Sequence, residues 1–190
     1  MLHRIFIAIN LPENVKRKLL TFKDKYQEVP AKWVRPDNLH ITLLFLGNLD
    51  DNQLNQTIKT AKEVCDKQKP FVVALKKVCF NENQKKVPRM VWVEGEGDND
   101  LFSLQKELEQ KIFNLESFQY KEKENRSFFF HVTLARIRQW ELQKMEEMPD
   151  INEELNIRFE VNTIEIMESE LKRGGPEYTI LDSFELSNEG

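Results

Sequence analysis

Residues 40–43 read His40-Ile41-Thr42-Leu43, and residues 131–134 read His131-Val132-Thr133-Leu134. The chain holds only three histidines and seven threonines in 190 residues. A given histidine meets a threonine two positions on with a chance of about 4%, so two of three would do so by accident about 0.4% of the time. The shared aliphatic positions make coincidence rarer still. On a strand, residues i and i+2 point to one face, so each histidine projects beside its threonine while the aliphatic residues anchor the opposite face. On a helix the same pair would diverge by about 200° and share nothing. The reading is therefore two strands of one kind.

Working outward, the order of elements repeats at an offset of 91 residues. Residues 3–9 alternate, with Ile5, Ile7 and Ile9 opposite Arg4, Phe6 and Ala8, which predicts a strand. Asn10 and Glu13 suggest a capping box opening a helix near Pro12, with Val15, Leu19, Phe22 and Tyr26 on its apolar face. Asp50, three residues before Gln53, caps a second helix striped by Leu54, Ile58, Ala61 and Cys65. A third begins near Asn99 and carries Leu101, Leu104, Leu108, Ile112 and Leu115. Further strands are predicted near 39–46, 70–80, 88–94, 127–136, 157–167 and 178–186, with Pro149 and Gly174-Gly175-Pro176 as breakers. Each half reads helix, histidine strand, short helix, strand, strand. This predicts an α+β fold, a single two-lobed domain over residues 1–190, with two pseudo-symmetric lobes facing a central cleft.

Composition narrows the function classes. Hydrophobic residues make up 40% and charged residues 32%, with 28 Lys+Arg against 32 Asp+Glu and a net charge of −4. That balance suits a globular chain and argues against a broad basic surface gripping long nucleic acid. A small, locally basic pocket for one phosphate remains compatible with it. Cys65 and Cys79 form no C-x-x-C pair and no disulfide framework. No leader or membrane-spanning stretch is read, so a cytoplasmic location is expected, with no membrane and no obligate protein partner.

The paired motifs carry a chemistry. Two imidazoles with ordinary pKa values near 6.5 supply a base and an acid at neutral pH, and two hydroxyls can donate to the non-bridging oxygens of a phosphate. Arg136, just beyond the second motif, can neutralise the remaining charge. The set suits in-line displacement at phosphorus. On a regular strand Arg136 has the wrong parity to face the cleft with His131 and Thr133, so an irregularity is predicted there, either a bulge or the end of the strand near Leu134, to turn it inward.

At this point the sequence resembles the two-histidine phosphoesterase superfamily, and within it the RNA 2′,3′-cyclic phosphodiesterase branch, also called 2′-5′ RNA ligase. The likeness covers nearly the whole chain. Arg4-Ile5-Phe6-Ile7-Ala8-Ile9 resembles the opening strand of that branch. The run Trp33-Val34-Arg35-Pro36-Asp37-Asn38-Leu39-His40-Ile41-Thr42-Leu43, ending in Phe45-Leu46-Gly47, is similar to its first motif. His131 to Arg136 resembles the second, and Met167-Glu168-Ser169-Glu170-Leu171, Gly175-Pro176 and Tyr178 resemble its C-terminal strands. The resemblance implies two lobes, each an antiparallel sheet with helices on its outer side. It implies a cleft that needs neither metal nor nucleotide cofactor, and RNA 3′ ends or small cyclic nucleotides as substrate. It assigns His40 as the acid toward the 3′ oxygen and His131 as the base activating water. Thr42, Thr133 and Arg136 bind the phosphate, and the product is a 2′-phosphomonoester. Joining of RNA ends by 2′-5′ linkage would use a 5′-hydroxyl in place of water.

Other residues are weaker candidates. Phe129 shares the face of His131 and suits stacking on a base as well as it suits core packing. Arg35 suits a base or backbone contact, whereas Lys32, Arg126 and Arg138 default to solvated surface. Trp33, Trp92 and Trp140 read as core. His3 lacks a threonine at position 5 and reads as structural. The run 121–126 reads as an exposed charged loop. The rival classes are a nucleotide-binding module without catalysis, a metal hydrolase, and a related exonuclease acting on another RNA end.

Overall fold

The computed structural model describes residues 1–81, 87–119 and 128–187. The elements in chain order are β1 (His3–Asn10), α1 (Glu13–Lys25), β2 (Ala31–Trp33), β3 (His40–Leu49), α2 (Asp51–Cys65), β4 (Phe71–Phe80) and β5 (Met90–Gly97). They continue as α3 (Asn99–Phe113), β6 (His131–Ile137), α4 (Gln139–Leu142), β7 (Asn152–Val161), β8 (Thr163–Lys172) and β9 (Gly175–Glu185). The fold is α+β, and every ladder between described strands is antiparallel.

The strands form one open sheet in the order β7-β4-β5-β6-β3-β1-β8-β9, with β2 added beside β6. This order is a palindrome. The centre is the junction of β6 with β3, made through Ile41 and Val132. Moving outward from it, β5 mirrors β1, β4 mirrors β8, and β7 mirrors β9. Each histidine strand is thus the innermost strand of its lobe, and the two motifs start side by side.

The lobes do not coincide with the sequence halves. β4 follows β3 in the chain but pairs with β5 and β7 of the other lobe, while β8 returns to pair with β1. The 91-residue offset correctly carries β4 onto β8. It also carries β5 onto β9, yet the partner of β5 across the sheet is β1. Residues 152–172 expose a second difference, because the strand expected near 157–167 is two strands separated only by Asn162. The first closes one lobe and the second belongs to the other, so a single extended run bends to serve both. Nothing in its alternating sequence marks the bend.

The helices cover the face away from the histidines. Ile5, Ile7, Ile9, Ile41 and Leu43 join a core with Val15, Leu19 and Phe22 of α1 and the leucines of α3. On the opposite face Phe6, Ala8 and Met167 make a small second cluster with Tyr178. The capping box at α2 forms as expected, with the Asp50 side chain accepting from the Gln53 backbone and the Gln53 side chain from the Asp50 backbone. The cap expected at Asn10 does not. Pro12 holds the N-cap position of α1, and Asn10 stays in β1, its backbone N–H donating to Glu165 Oε2 at 3.1 Å.

Candidate active site

Each histidine is oriented by its own backbone. His40 Nδ1 lies 2.8 Å from the Asn38 carbonyl and His131 Nδ1 lies 2.9 Å from the Phe129 carbonyl. A carbonyl oxygen only accepts, so Nδ1 must carry the proton and Nε2 is left with its lone pair. His40 Nε2 meets the Thr42 hydroxyl at 3.1 Å, which donates to it. The same carbonyl, two residues upstream, fixes the same tautomer in both lobes.

Both imidazoles are held neutral at rest. Burial pushes His40 down to about 4, opposed by the hydrogen bond to the Asn38 carbonyl and reinforced by the neighbouring His131. Burial also lowers His131, opposed by the Phe129 carbonyl and by Glu94. Aromatic rings supply much of that dry environment. Phe6 and Tyr178 lie 5.0 and 5.2 Å from the His40 ring, and Trp92 lies 4.1 Å from that of His131.

The predicted irregularity in β6 is present. Thr133 pairs with Trp92 and Ala135 with Val91, leaving Leu134 as the extra residue of a bulge. Leu134 and Ala135 are both buried, after which Arg136 emerges exposed on the cleft side. β3 carries the same bulge. Thr42 pairs with Ala8 and Leu44 with Ile7, so Leu43 is the extra residue and Phe45 is turned outward. A further register shift makes Leu46 the extra residue of a second bulge, and Gly47 accommodates it at φ 70°, a left-handed conformation that glycine adopts without steric cost.

His40, Thr42, His131, Thr133 and Arg136 all line one cleft. Its volume is about 240 Å³, below the roughly 300–1,000 Å³ of pockets that engulf a drug-sized ligand. Four cations line it, Arg4, Lys32, Arg35 and Arg136, and no carboxylate among the described residues does. In a chain of net charge −4 this is a local reversal of sign that favours an anion. Two of the four are occupied. Lys32 Nζ donates to the Gly174 carbonyl, and Arg35 reaches the Pro176 carbonyl at 3.5 Å and Glu177 at 3.8 Å. Together with Asn38, which donates to the Pro176 carbonyl at 2.9 Å, they pin the tip of the β8–β9 hairpin over the rim. Gly175 suits that close approach, with φ 115° and Lys32 Nζ 2.9 Å from where a Cβ would sit.

The remaining candidates divide. Phe129 is half exposed and packs by Trp92 and His131, at 5.7 and 5.9 Å, but does not line the cleft. Arg138 turns away to pair with Glu141 at 3.1 Å. Arg126 and the charged run 121–126 lie outside the described residues. His3 bonds Glu168 and Asp51, away from the cleft. Trp33 lines the cleft, Trp92 backs His131, and Trp140 is exposed, so none of the three is fully buried. Sequence reasoning gave no site role to Arg4, Phe6, Phe45 or Tyr178. The alternation of residues 4–8 already placed Arg4 and Phe6 on one face, which was the available signal. Among the described residues no group of three or more His, Cys, Asp or Glu is placed to hold a metal ion.

Known proteins resemble this chain in sequence and in fold. The family model for LigT-like phosphoesterases matches residues 9–92. An Aquifex aeolicus RNA 2′,3′-cyclic phosphodiesterase is 32% identical over 163 residues, covering 84% of each chain. The chain belongs to the LigT-like phosphoesterase family. A Methanocaldococcus jannaschii RNA 2′,3′-cyclic phosphodiesterase is 28% identical over 183 residues, covering 94% of this chain and 98% of its own. Among solved structures, a Thermus thermophilus protein superposes with a TM-score of 0.84 at 27% identity, over 98% of this chain and 100% of its own. Escherichia coli LigT with 3′-AMP bound shares the fold at a TM-score of 0.79 and 23% identity, over 99% and 100% of the two chains. This phosphoesterase also has no described helix long and apolar enough to cross a membrane.

Proposed function

We propose that this phosphoesterase hydrolyses the 2′,3′-cyclic phosphate at RNA 3′ ends to a 2′-phosphomonoester, using two histidines and no metal. The observation that carries the reading is that both histidines, each fixed in the Nδ1–H tautomer with Nε2 left unprotonated, line one cleft rich in cations. The relatives named for that reaction, one of them 32% identical, support the substrate class.

Water attacks phosphorus in line with the 3′ oxygen. His131 Nε2 takes a proton from the water as the new P–O bond forms. The P–O3′ bond breaks, and a proton from His40 Nε2 passes to the departing oxygen, leaving a 3′-hydroxyl and a 2′-phosphate. Thr42, Thr133 and Arg136 hold the non-bridging oxygens as charge grows on them. His40 is neutral at rest, so the bound anion must favour its protonation. Solvent then returns the proton from His131 to His40 for the next cycle. An RNA 5′-hydroxyl in place of water would give the 2′-5′ linkage by the same step.

The test is an oligonucleotide ending in a 2′,3′-cyclic phosphate, incubated with the enzyme in EDTA and followed by phosphorus NMR. The expected product is the 2′-phosphate, with turnover reduced about 10²–10⁴-fold by His40→Ala and by His131→Ala. Because one histidine must be charged and both are depressed, kcat/KM should rise as pH falls from 8 toward 6. Binding without turnover would instead make this a nucleotide-binding module, activity abolished by EDTA a metal hydrolase, and a 3′-phosphate product would reverse the leaving group.

A further inference from the structure

Five polar or charged side chains are buried among the described residues, Lys16, Asn38, Thr57, Thr60 and Glu165, and of these only Asn38 lines the cleft. Asparagine is mostly a surface residue, so its burial here needs a reason. Asn38 closes the single 3-10 turn Pro36–Asn38, its N–H donating to the Arg35 carbonyl at 2.9 Å. The ladders of β3 begin only at His40, so none of them fixes the Asn38 carbonyl that receives His40 Nδ1. The side chain of Asn38 does so instead, its Nδ2 donating to the Pro176 carbonyl of β9 at 2.9 Å. Two residues further along β9, Tyr178 meets the His40 ring edge-on at 5.2 Å. The matching residue of the second lobe, two before His131, is Phe129. Its carbonyl makes the same bond to Nδ1, but its side chain is apolar, half exposed and packs by the rings of Trp92 and His131.

We infer that Asn38 is the positioning residue of His40, its amide tying the main-chain carbonyl to β9 so that Nδ1–H keeps its partner while Nε2 hands a proton to the departing oxygen. The role rests on the reaction proposed above, in which His40 is the acid. A neutral imidazole needs that carbonyl only to set its tautomer. An imidazolium needs it more, because the bond becomes charge-assisted, shorter and about twice as strong. A carbonyl already in place gives that stabilisation without reorganisation as the charge arrives. One free to swing would first have to be ordered. His40 is the histidine more strongly depressed by burial, so it gains the most from a fixed partner.

The test is made on the whole chain, with Asn38→Ala and with Asn38→Leu, which keeps the volume of the side chain but not its donor. Histidine labelled with nitrogen-15 reports the imidazoles separately by NMR, the signals being assigned with His40→Asn and His131→Asn. In the wild type His40 and His131 should both show the Nδ1–H tautomer near neutral pH. In both Asn38 variants the His40 signals should move toward a mixture of tautomers, with Nδ1–H exchanging faster with water, while those of His131 stay in place. Turnover of 2′,3′-cyclic AMP should fall about 10- to 100-fold in kcat with KM nearly unchanged, since a misplaced acid is felt at the chemical step. A wild-type His40 signal in Asn38→Leu would mean that Asn38 acts through its volume and would overturn the tether. That variant decides alone if Asn38→Ala does not fold. Lys32→Ala releases the same hairpin at Gly174, and a His40 shift as large as in Asn38→Ala would assign the effect to the hairpin and overturn the role of Asn38. Failure of the wild type to turn over the nucleotide would strike the proposed reaction instead, and the imidazole signals would then decide the tether by themselves.

Discussion

The two lobes share a scaffold and differ in what they surround. Both present a histidine at the start of a strand, a threonine two residues on, a leucine bulge, and an outward side chain after it. In the first lobe the histidine sits between Phe6 and Tyr178 and is the more strongly depressed, and the outward side chain is Phe45. In the second the histidine lies against Trp92, with Glu94 among the groups opposing the fall in its pKa, and the outward side chain is Arg136. In the proposed reaction, cleaving one of two P–O bonds in a cyclic ester needs direction, and a symmetric site would have none. The duplicated backbone supplies two histidines lining one cleft, each held at Nδ1 by a backbone carbonyl, while the neighbouring side chains make the two sides unequal.

The strongest way to break that comparison is at Arg136. A hydrogen bond to a charged group contributes about 1.5–3 kcal/mol, so Arg136→Ala should lower kcat/KM about 10- to 100-fold, with kcat carrying most of the loss. Arg136→Lys should recover only part, since the forked donor geometry is lost. Equal effects of Arg136→Ala and Phe45→Ala on kcat would show that the two lobes act alike after all.

A smaller effect sharpens the difference between the histidines themselves. His40 is pushed from 6.5 to about 4 in the folded chain. Below pH 6.5 the unfolded chain therefore binds a proton that the folded chain refuses, and stability falls as pH drops through the window from 6.5 to 4. The full contribution is on the order of 3 kcal/mol. His40→Asn should flatten the decline of Tm across that window. His131→Asn should flatten it less, because His131 is shielded by the Phe129 carbonyl and Glu94. The ordering fails if His131→Asn flattens the curve as much as His40→Asn.

How much of this was legible in the sequence depended on whether the signal was local. The His-x-Thr pairs, the capping box at Asp50 and the stripe of α3 are each set within a few residues, and all appear in the fold as read, except that α3 ends at Phe113 and leaves Leu115 beyond its stripe. That β6 is irregular at Leu134 was legible because Arg136 is polar and its wrong parity demanded either a bulge or the end of the strand; the structure has the bulge. Its twin at Leu43 was not, since Phe45 after the motif looks like any apolar strand residue. The bend at Asn162 left no mark, because both strands it joins are half-buried and alternate in the same way. Tyr178 and the hairpin tip reach the cleft only through the pairing of β8 with β1, a contact between residues about 160 apart in the chain. Long-range pairing of that kind is not encoded in any short window.

The smallest expected effect lies at the outer end of the first lobe. His3 Nδ1 meets Glu168 at 2.7 Å and Nε2 meets Asp51 at 3.0 Å, tying β1 to β8 and to the first turn of α2. The hydrogen bonds to Glu168 and then Asp51 raise its pKa above 6.5, so the folded chain binds this proton more tightly than the unfolded one. The stabilisation is complete below pH 6.5 and disappears as pH rises through the raised value. Exposed pairs contribute little, so His3→Gln should lower Tm by no more than about 2 °C at pH 6 and leave it unchanged at pH 9. Activity at pH 7 should be untouched, since His3 lies outside the cleft. A Tm loss of equal size at both pH values would mean that His3 acts by packing, and the third histidine would then have no electrostatic role.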